Sequence, residues 1–375
     1  MKYQTPAQQR ENRITVHPSQ RQSHVTPVNA KLYVVTFISN SHRFAVRYRL
    51  YQAFEKMVSD AGAILITVEL ALRDRHHEIT NPENPHHLQL RSPDIMWHKE
   101  NGLNLGMEHA IKLYPDAEYF GFMDADIFFT RTDWAVETIH QLQIYRWLQM
   151  WSHSIDLAPD SEHNITAYQQ PIAQCQSLIY SYMQDRDILK PIDRKAAKNG
   201  NGAGNPAATG RGPGIFRLSD AYVTPSPRGM LHTGYAWAAR RSALSDVGGL
   251  GDIGILGSGD RHMGYALIGE VARSIDPRLE QSYKDYWLRW QHRADRFVQR
   301  KVGVVPGTIL HYWHGSKQHR RYQDRWKILI ENKFDYLDDL KRDPQGLWAL
   351  TDEKWQLRDD LINYFRVRNE DEITL

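Results

Sequence analysis

Residues 31–38 (KLYVVTFI) and 63–70 (AILITVEL) are two continuous apolar runs of strand length near the start of the chain. Their content of β-branched and aromatic residues, with no alternation of polar positions, predicts strands buried on both faces. A helix is predicted through residues 47–54, and Gly62 ends it. A strand, a helix and a second strand in this order form the unit from which parallel sheets covered by helices are built. The predicted fold class is therefore α/β.

The rest of the chain continues the alternation of helices and strands. Residues 72–95 are rich in His, Pro and Asn and are predicted to form a loop. The elements predicted after it are a helix that begins at Lys99 and closes at Tyr114, a strand over 118–123, a helix over 134–150, a helix over 261–272, a strand over 301–310 and a charged, helical segment from about residue 318.

Composition excludes several classes of protein. The 375 residues are 41% hydrophobic, which is enough for one large α/β domain with appendages or for two domains. No apolar run approaches the roughly 20 residues that span a bilayer, and the start of the chain lacks the apolar core of a signal peptide. The single cysteine, Cys175, excludes an internal disulfide framework and a Cys-based zinc site, so a cytoplasmic location is expected. A net charge of +3 is too mild to indicate nucleic acid by itself.

The strongest chemical signal is residues 120–129 (FGFMDADIFF), where Asp124 and Asp126 follow a strand that should be buried. Buried carboxylates are costly unless another group neutralises them. A period of two places both side chains on one side, where Mg²⁺ or Mn²⁺ shared with substrate phosphates would stabilise them. The carboxyl edge of a parallel sheet is also where such sheets bind ligands. The alternative is an aspartate pair that caps the following turn.

Residues 256–263 (LGSGDRHM) form a second candidate site. Their glycines allow the backbone to approach a ligand closely, and Asp260 stands at the start of a predicted helix. Asp260 could cap that helix, which would stabilise it by about 1 kcal/mol. It could also accept a proton from a substrate, and the two roles are compatible.

Residues 311–315 (HYWHG) follow the last predicted strand and form a third candidate site. One imidazole, from His311 or His314, could complete a metal site based on aspartate, and Mn²⁺ accepts such mixed ligands. The alternative is a pair of histidines packed against their aromatic neighbours. The basic run 317–327 with interleaved aromatics could hold a diphosphate or a nucleic-acid backbone, or could be a solvated helix face.

Taken in order, these segments resemble glycosyltransferases of the GT-A fold, which use nucleotide-sugar donors. The resemblance rests on the first strand, on Asp124-Ala125-Asp126 and above all on residues 233–263. That region is similar to the acceptor region of family-two transferases and of the polypeptide N-acetylgalactosaminyl- and β-1,4-galactosyltransferases. Gly259 stands where inverting relatives often have Glu, and Leu250 replaces the usual Phe. Only Asp260 is then left to act as the base.

The resemblance implies a role for each matched residue. Asp126 would bind the cation that bridges the donor diphosphate, and Asp124 would touch ribose, sugar or metal. His314, or else His311, would be the late histidine ligand. Asp260 would deprotonate the acceptor hydroxyl, which inverts the anomeric carbon. The residues expected to bind the nucleotide-sugar are Thr36, Glu69, Lys99, Asn101, Asp124 and Arg240.

The resemblance implies a GT-A domain over 31–316, with a donor half (31–133) and an acceptor half (134–316) that contains a mobile Gly-rich loop (198–214). A polar extension over 1–30 precedes this domain, and a basic, aromatic helical segment over 317–375 follows it. The expected reaction is transfer from a UDP-type sugar to a hydroxyl, with Mn²⁺ or Mg²⁺. The acceptor could be a glycan, a lipid-linked sugar or a surface-polymer precursor. A hydroxymethylated pyrimidine in DNA is a further candidate, favoured by the 317–327 run and by the 11 Trp and 19 Tyr.

A different class of function stays open. A nucleotidyltransferase, or a sugar-nucleotide-binding module without catalysis, could use the same fold. Nucleotidyltransferases usually carry a Gly-rich signature after the first strand, and residues 37–43 (FISNSHR) lack those glycines.

Overall fold

A computed structural model of the protein describes residues 30–160, 165, 169–186, 224–226, 229–320 and 324–373. The predicted Gly-rich loop over 198–214 lies outside these residues, as does the predicted extension apart from Ala30. The strands are β1 (Leu32–Ser39), β2 (Ile64–Leu72), β3 (His87–Ser92), β4 (Tyr119–Met123), β5 (Ile127–Phe129), β6 (Trp147–Gln149), β7 (His153–Leu157), β8 (Pro171–Ser177), β9 (Thr224–Ser226), β10 (Gly229–His232), β11 (Ala236–Arg240), β12 (Val302–Val304), β13 (Thr308–His311), β14 (Leu340–Arg342) and β15 (Trp348–Leu350). The α-helices are α1 (Ala45–Asp60), α2 (Lys99–Leu113), α3 (Trp134–Ile144), α4 (Leu178–Gln184), α5 (Arg241–Val247), α6 (Gly259–Leu267), α7 (Gln281–Phe297), α8 (Arg325–Glu331), α9 (Tyr336–Asp339) and α10 (Trp355–Arg366).

The central sheet confirms the α/β class predicted from the first two apolar runs. Within the described residues it has seven strands in the order β12-β6-β11-β4-β1-β2-β3. Neighbouring strands are parallel except on either side of β11, which is antiparallel to β4 and to β6. Val34 packs into one apolar cluster and Val35 into another, and both side chains are fully buried. Because β1 is covered on both faces, its sequence is continuously apolar instead of alternating.

A second sheet of the described chain has the order β5-β13-β7-β8-β10-β9. Here β13 lies between β5, to which it is antiparallel, and β7, to which it is parallel. Strand β5 begins at Ile127, directly after the Asp124–Asp126 turn, and β13 ends at His311. This sheet therefore brings the end of β13 beside the turn that leaves β4.

Four of the predicted elements are wrong in detail. The predicted helix over 261–272 ends at Leu267, and a separate 3₁₀ helix covers Val271–Ser274. The predicted loop over 72–95 contains β3, which extends the central sheet by pairing with β2. The predicted helix over 134–150 ends at Ile144, and Trp147–Gln149 is a short strand between β11 and β12. The predicted strand over 301–310 is two strands in different sheets, because Pro306 and Gly307 interrupt it.

The segment after residue 317 is helical, as predicted, and also contains the hairpin of β14 and β15. Its last described residues return to the start of α1. The carboxylate of Asp371 accepts hydrogen bonds from the amides of Ala45 and Val46, each at 2.9 Å. These amides are among the donors that a helix start leaves unpaired, so a residue distant in sequence caps α1. Among the described helices, none has the length and apolar character needed to cross a bilayer.

Candidate active site

A cavity of about 140 Å³ opens at the carboxyl edge of the central sheet. The loop after β1, the segment after β3, the turn after β4 and the loop after β13 all contribute to its walls. Six of the residues predicted from the sequence line this one cavity: Lys99, Asp124, Asp126, Asp260, His311 and His314.

Asp126, His311 and His314 form a cluster with the geometry of a metal site. One ligand atom from each lies within 4.8 Å of the others. His314 Nε2 is 3.0 Å from Asp126 Oδ2, and His311 Nε2 is 3.9 Å from Asp126 Oδ1. The two Nε2 atoms are 3.1 Å apart. Among the described residues, none offers a hydrogen bond to the buried Asp126 Oδ1. One carboxylate and two imidazoles that converge in this way fit a divalent cation such as Mn²⁺.

Asp156 orients the imidazole of His311. Its Oδ1 lies 2.6 Å from His311 Nδ1 and accepts a hydrogen bond from the hydroxyl of Tyr235 at 3.0 Å. Asp156 and His311 are register partners in β7 and β13. A carboxylate on Nδ1 keeps the proton there and turns the Nε2 lone pair toward Asp126, which is the usual arrangement of a metal-binding histidine. Asp156 was not predicted, although a carboxylate between the apolar residues Ile155 and Leu157 was a usable signal.

Three arginines line the cavity beside His314. Arg320 Nη2 lies 2.6 Å from His314 Nδ1 and 2.9 Å from His314 Nε2. Arg47 and Arg368 both bind the buried carboxylate of Glu370, with Nη2 to Oε1 distances of 2.8 Å and 3.0 Å. Such a guanidinium group recognises the oxygens of phosphate as well as those of carboxylate. This wall of the cavity is therefore suited to an anionic ligand.

The charges of this wall determine the ionisation of Asp126. Burial alone would raise the pKa of its carboxyl. The attraction and hydrogen bond of His314, then the attraction of His311 and Arg47, outweigh burial and hold the pKa well below its ordinary value, although burial and Arg320 lower the pKa of His314 itself. Asp126 is thus a carboxylate at neutral pH, which is the form that binds a cation.

The carboxylate of Asp124 pairs with Lys99. Its Oδ1 accepts a hydrogen bond from Lys99 Nζ at 2.5 Å, and its own amide donates to the carbonyl of Tyr235. Burial would lower the pKa of Lys99, but the carboxylates of Asp124 and Asp260 outweigh it and raise that pKa well above its usual value. The structure therefore places Asp124 in an ion pair with a charged lysine, adjacent to the metal cluster but outside it.

Asp260 lies in the first turn of α6 and lines the same cavity. It is not the cap of this helix, because the residue before the helix is Ser258, whose side chain makes no capping bond. Asp260 Oδ1 accepts a hydrogen bond from the amide of Arg261, at 2.8 Å. A Cβ on Gly234 would lie 2.8 Å from Asp260 Oδ2 and 2.9 Å from His232 Cε1. Glycine at 234 therefore allows the carboxylate and the imidazole to approach each other at the cavity wall.

Two of the predicted nucleotide-binding residues serve the framework. Thr36 is fully buried in β1, and its hydroxyl donates to the carbonyl of Met123. Asn101 joins α2 to the hairpin, since its amide donates to the carbonyl of Gly346 and accepts from the amide of Trp348. Neither residue lines the cavity.

The other two predicted residues lie in different places. Glu69, at the carboxyl end of β2, accepts the amides of Glu78 and Thr80 at 2.7 Å and 2.9 Å, and lines a neighbouring cavity of about 420 Å³. Arg240 ends β11 at the other edge of the sheet, where its side chain donates to the carbonyl of Leu142. The antiparallel course of β11 carries Arg240 away from the site.

Comparisons with known proteins give remote similarities. No protein-family model matches the chain, and no curated protein is similar to it in sequence. The solved structures similar to it include mannose-1-phosphate geranyltransferase from Thermus thermophilus, at 11% identity over 76% of this chain and 74% of that one, with a TM-score of 0.29. They also include a glycosyltransferase involved in the glycosylation of the major capsid of PBCV-1, at 9% identity over 41% and 67%, with a TM-score of 0.20. Similarities this remote leave the function to be argued from the residues of this chain.

Proposed function

We propose that this protein is a metal-dependent glycosyltransferase of the GT-A type, which moves a sugar from a nucleotide-sugar to a hydroxyl group. The observation that carries the proposal is one cavity lined by two chemically different sets of groups. These are the Asp126–His311–His314 cluster with the three arginines, and the carboxylate of Asp260. A donor with a leaving diphosphate and an acceptor with a hydroxyl match these two sets.

The part of the cavity lined by Asp126, His311 and His314 would hold the donor diphosphate. Asp126, His311 and His314 offer one oxygen and two nitrogens, a set that Mn²⁺ accepts more readily than Mg²⁺, which prefers oxygen ligands. A bound cation would supply charge that stabilises the departing diphosphate. Arg47 and Arg320 would add hydrogen bonds to the same phosphates. The positive charge of Lys99 would balance part of the negative charge of Asp124 and Asp260.

Asp260 would activate the acceptor. Asp260 takes the proton of the acceptor hydroxyl while that oxygen bonds to the anomeric carbon. The bond from this carbon to the diphosphate breaks, and its electron pair stays with the phosphate oxygen. Attack from the side opposite the leaving group inverts the anomeric centre.

The neighbouring cavity is the proposed place for the nucleoside. It shares Asn40 with the main cavity and is lined by Glu69, Tyr48 and Arg75. Tyr48 offers an aromatic face, and Arg75 and Glu69 offer a donor and an acceptor for a base edge or ribose. The nucleoside of the donor would then lie in this cavity and its diphosphate beside Asp126, His311 and His314, as expected for a UDP-sugar.

A donor panel tests the proposal. The purified protein is incubated with UDP-, GDP- and dTDP-sugars and Mn²⁺, and release of the nucleoside diphosphate is measured with and without a chelator. Acceptors are glycan fragments, a polyprenyl-linked sugar, and duplexes with and without hydroxymethylpyrimidine. Asp126→Asn should abolish metal-dependent turnover, whereas Asp133→Asn, at an exposed carboxylate seven residues further on, should not.

The outcomes separate the candidate functions. Turnover that survives chelation or Asp126→Asn would contradict the proposal. Release of pyrophosphate from a nucleoside triphosphate and a sugar phosphate would indicate a nucleotidyltransferase. Donor binding without any consumption, unchanged by Asp260→Asn, would indicate a binding module.

A further inference from the structure

Glu100 is a buried carboxyl that the proposed reaction leaves without a role. It is the second residue of α2, and its side chain is 4% exposed. It lines a small cavity of about 20 Å³, with room for about one water molecule, together with Lys99, Asp124 and Asp260. Glu100 therefore shares a wall with the proposed base. Its role was not predicted from the sequence.

Two neighbours fix the orientation of this carboxyl. The indole N–H of Trp97 donates to Glu100 Oε2 at 2.9 Å. The other oxygen, Oε1, points at the start of α6, and a Cβ on Gly259 would lie only 2.7 Å from it. Glycine at 259 therefore makes room for Glu100 against the backbone that carries Asp260.

The charges around Glu100 favour its neutral form. Lys99 faces it from α2, Asp124 from the end of β4, Asp260 from α6 and the neutral phenol of Tyr283 from α7. The single ammonium group already bonds to Asp124 at 2.5 Å. Burial raises the pKa of Glu100, Lys99 lowers it and Asp260 raises it further, to about 7. Because Oε2 accepts the indole N–H, the proton belongs on Oε1, facing α6.

We propose that Glu100 is a positioning residue that acts with its proton in place. The neutral carboxyl fills the space beneath Gly259, holds Asp260 at the cavity wall and leaves Lys99 to the two aspartates. During transfer the acceptor proton passes to Asp260, and Glu100 keeps its own. Ionised Glu100 would add a third negative charge that competes for Lys99 and disturbs its bond to Asp124. This role rests on the proposed function, because it presumes Asp260 as the base.

The pH dependence of kcat and KM for nucleotide-sugar turnover tests the role. Between pH 6 and pH 8.5 the wild type should lose at least tenfold in kcat as Glu100 ionises. Glu100→Gln, which is neutral throughout, should keep its kcat over this range. Glu108→Gln, at an exposed position of the same helix, should follow the wild type. The proposal would be overturned if the kcat of Glu100→Gln declined with pH as the wild-type kcat does. It would also be overturned if Glu100→Gln lowered kcat by the same factor at every pH.

A second measurement does not depend on turnover. Infrared difference spectra between pH 6 and pH 8.5 detect the C=O stretch of a protonated carboxyl. The band should be present at pH 6 in the wild type and missing in Glu100→Gln. Its absence from the wild type would overturn the proposal even if the enzyme is active. If the band is present and no nucleotide-sugar is consumed, the proposed function fails and the positioning role fails with it.

Discussion

Replacing Glu100 with Gln should change how the stability of the protein depends on pH. The pKa of this carboxyl rises from 4.5 to about 7 on folding, chiefly because of burial. A raised carboxyl pKa means that the folded state holds the proton more tightly, so stability is highest below pH 4.5 and falls as pH rises to about 7. Raising a pKa by one corresponds to about 1.4 kcal/mol, so the whole contribution of Glu100 is about 3 kcal/mol. Between pH 5.5 and pH 8.5 the wild type should lose about 2 kcal/mol of this.

Denaturant unfolding followed by tryptophan fluorescence measures this difference. Wild type, Glu100→Gln and the exposed control Glu108→Gln are unfolded at pH 5.5 and pH 8.5 with a chelator, so that metal binding does not contribute. The free energy of unfolding of Glu100→Gln relative to wild type should increase by about 2 kcal/mol at the higher pH. Glu108→Gln should show no such change. A relative stability of Glu100→Gln that is the same at both pH values would refute the assigned proton.

Two further predictions concern His311 and Asp260. Asp156→Asn removes the carboxylate that orients His311 and should weaken Mn²⁺ binding about 10- to 100-fold, measured by titration calorimetry; unchanged affinity would mean that His311 is not a ligand. Gly234→Ala places a Cβ 2.8 Å from Asp260 Oδ2 and should lower kcat about 100-fold while Mn²⁺ affinity stays constant. Gly121→Ala, whose Cβ would meet its nearest neighbour at an ordinary 3.5 Å, is the matched control, and equal losses in the two variants would contradict the argument about Asp260.

The central sheet was predictable because burial on both faces leaves a clear pattern in sequence. The runs that became β1 and β2 are mostly apolar and rich in β-branched residues, and their length and the flanking turn residues favour a strand over a helix. Strand β3 lacks this pattern, since it lies at the edge of the sheet and His87 and Gln89 are partly exposed. The three residues of β6 are apolar or amphipathic and directly follow a helix, so periodicity alone could not separate them from it.

The candidate site was predictable where a motif carries its own chemistry. Asp126, His311 and His314 were identified as possible ligands, and the structure brings them together. Thr36 and Arg240 failed to reach the cavity because a resemblance fixes neither the side-chain direction nor the course of an antiparallel strand. Partners such as Asp156 depend on strand pairing between residues 155 positions apart, which no local pattern encodes.

The bond from Asp371 to the start of α1 joins residues 326 positions apart. Arg368 and Glu370, just before Asp371, line the cavity beside His314. On the ribosome, the first helix and the Asp126 turn emerge long before these residues exist, so the nascent chain carries an open, unfinished pocket. Contacts of such separation also form late in folding, since the loop between them must first be closed. The residues that line this cavity are therefore all present only after synthesis has passed Glu370.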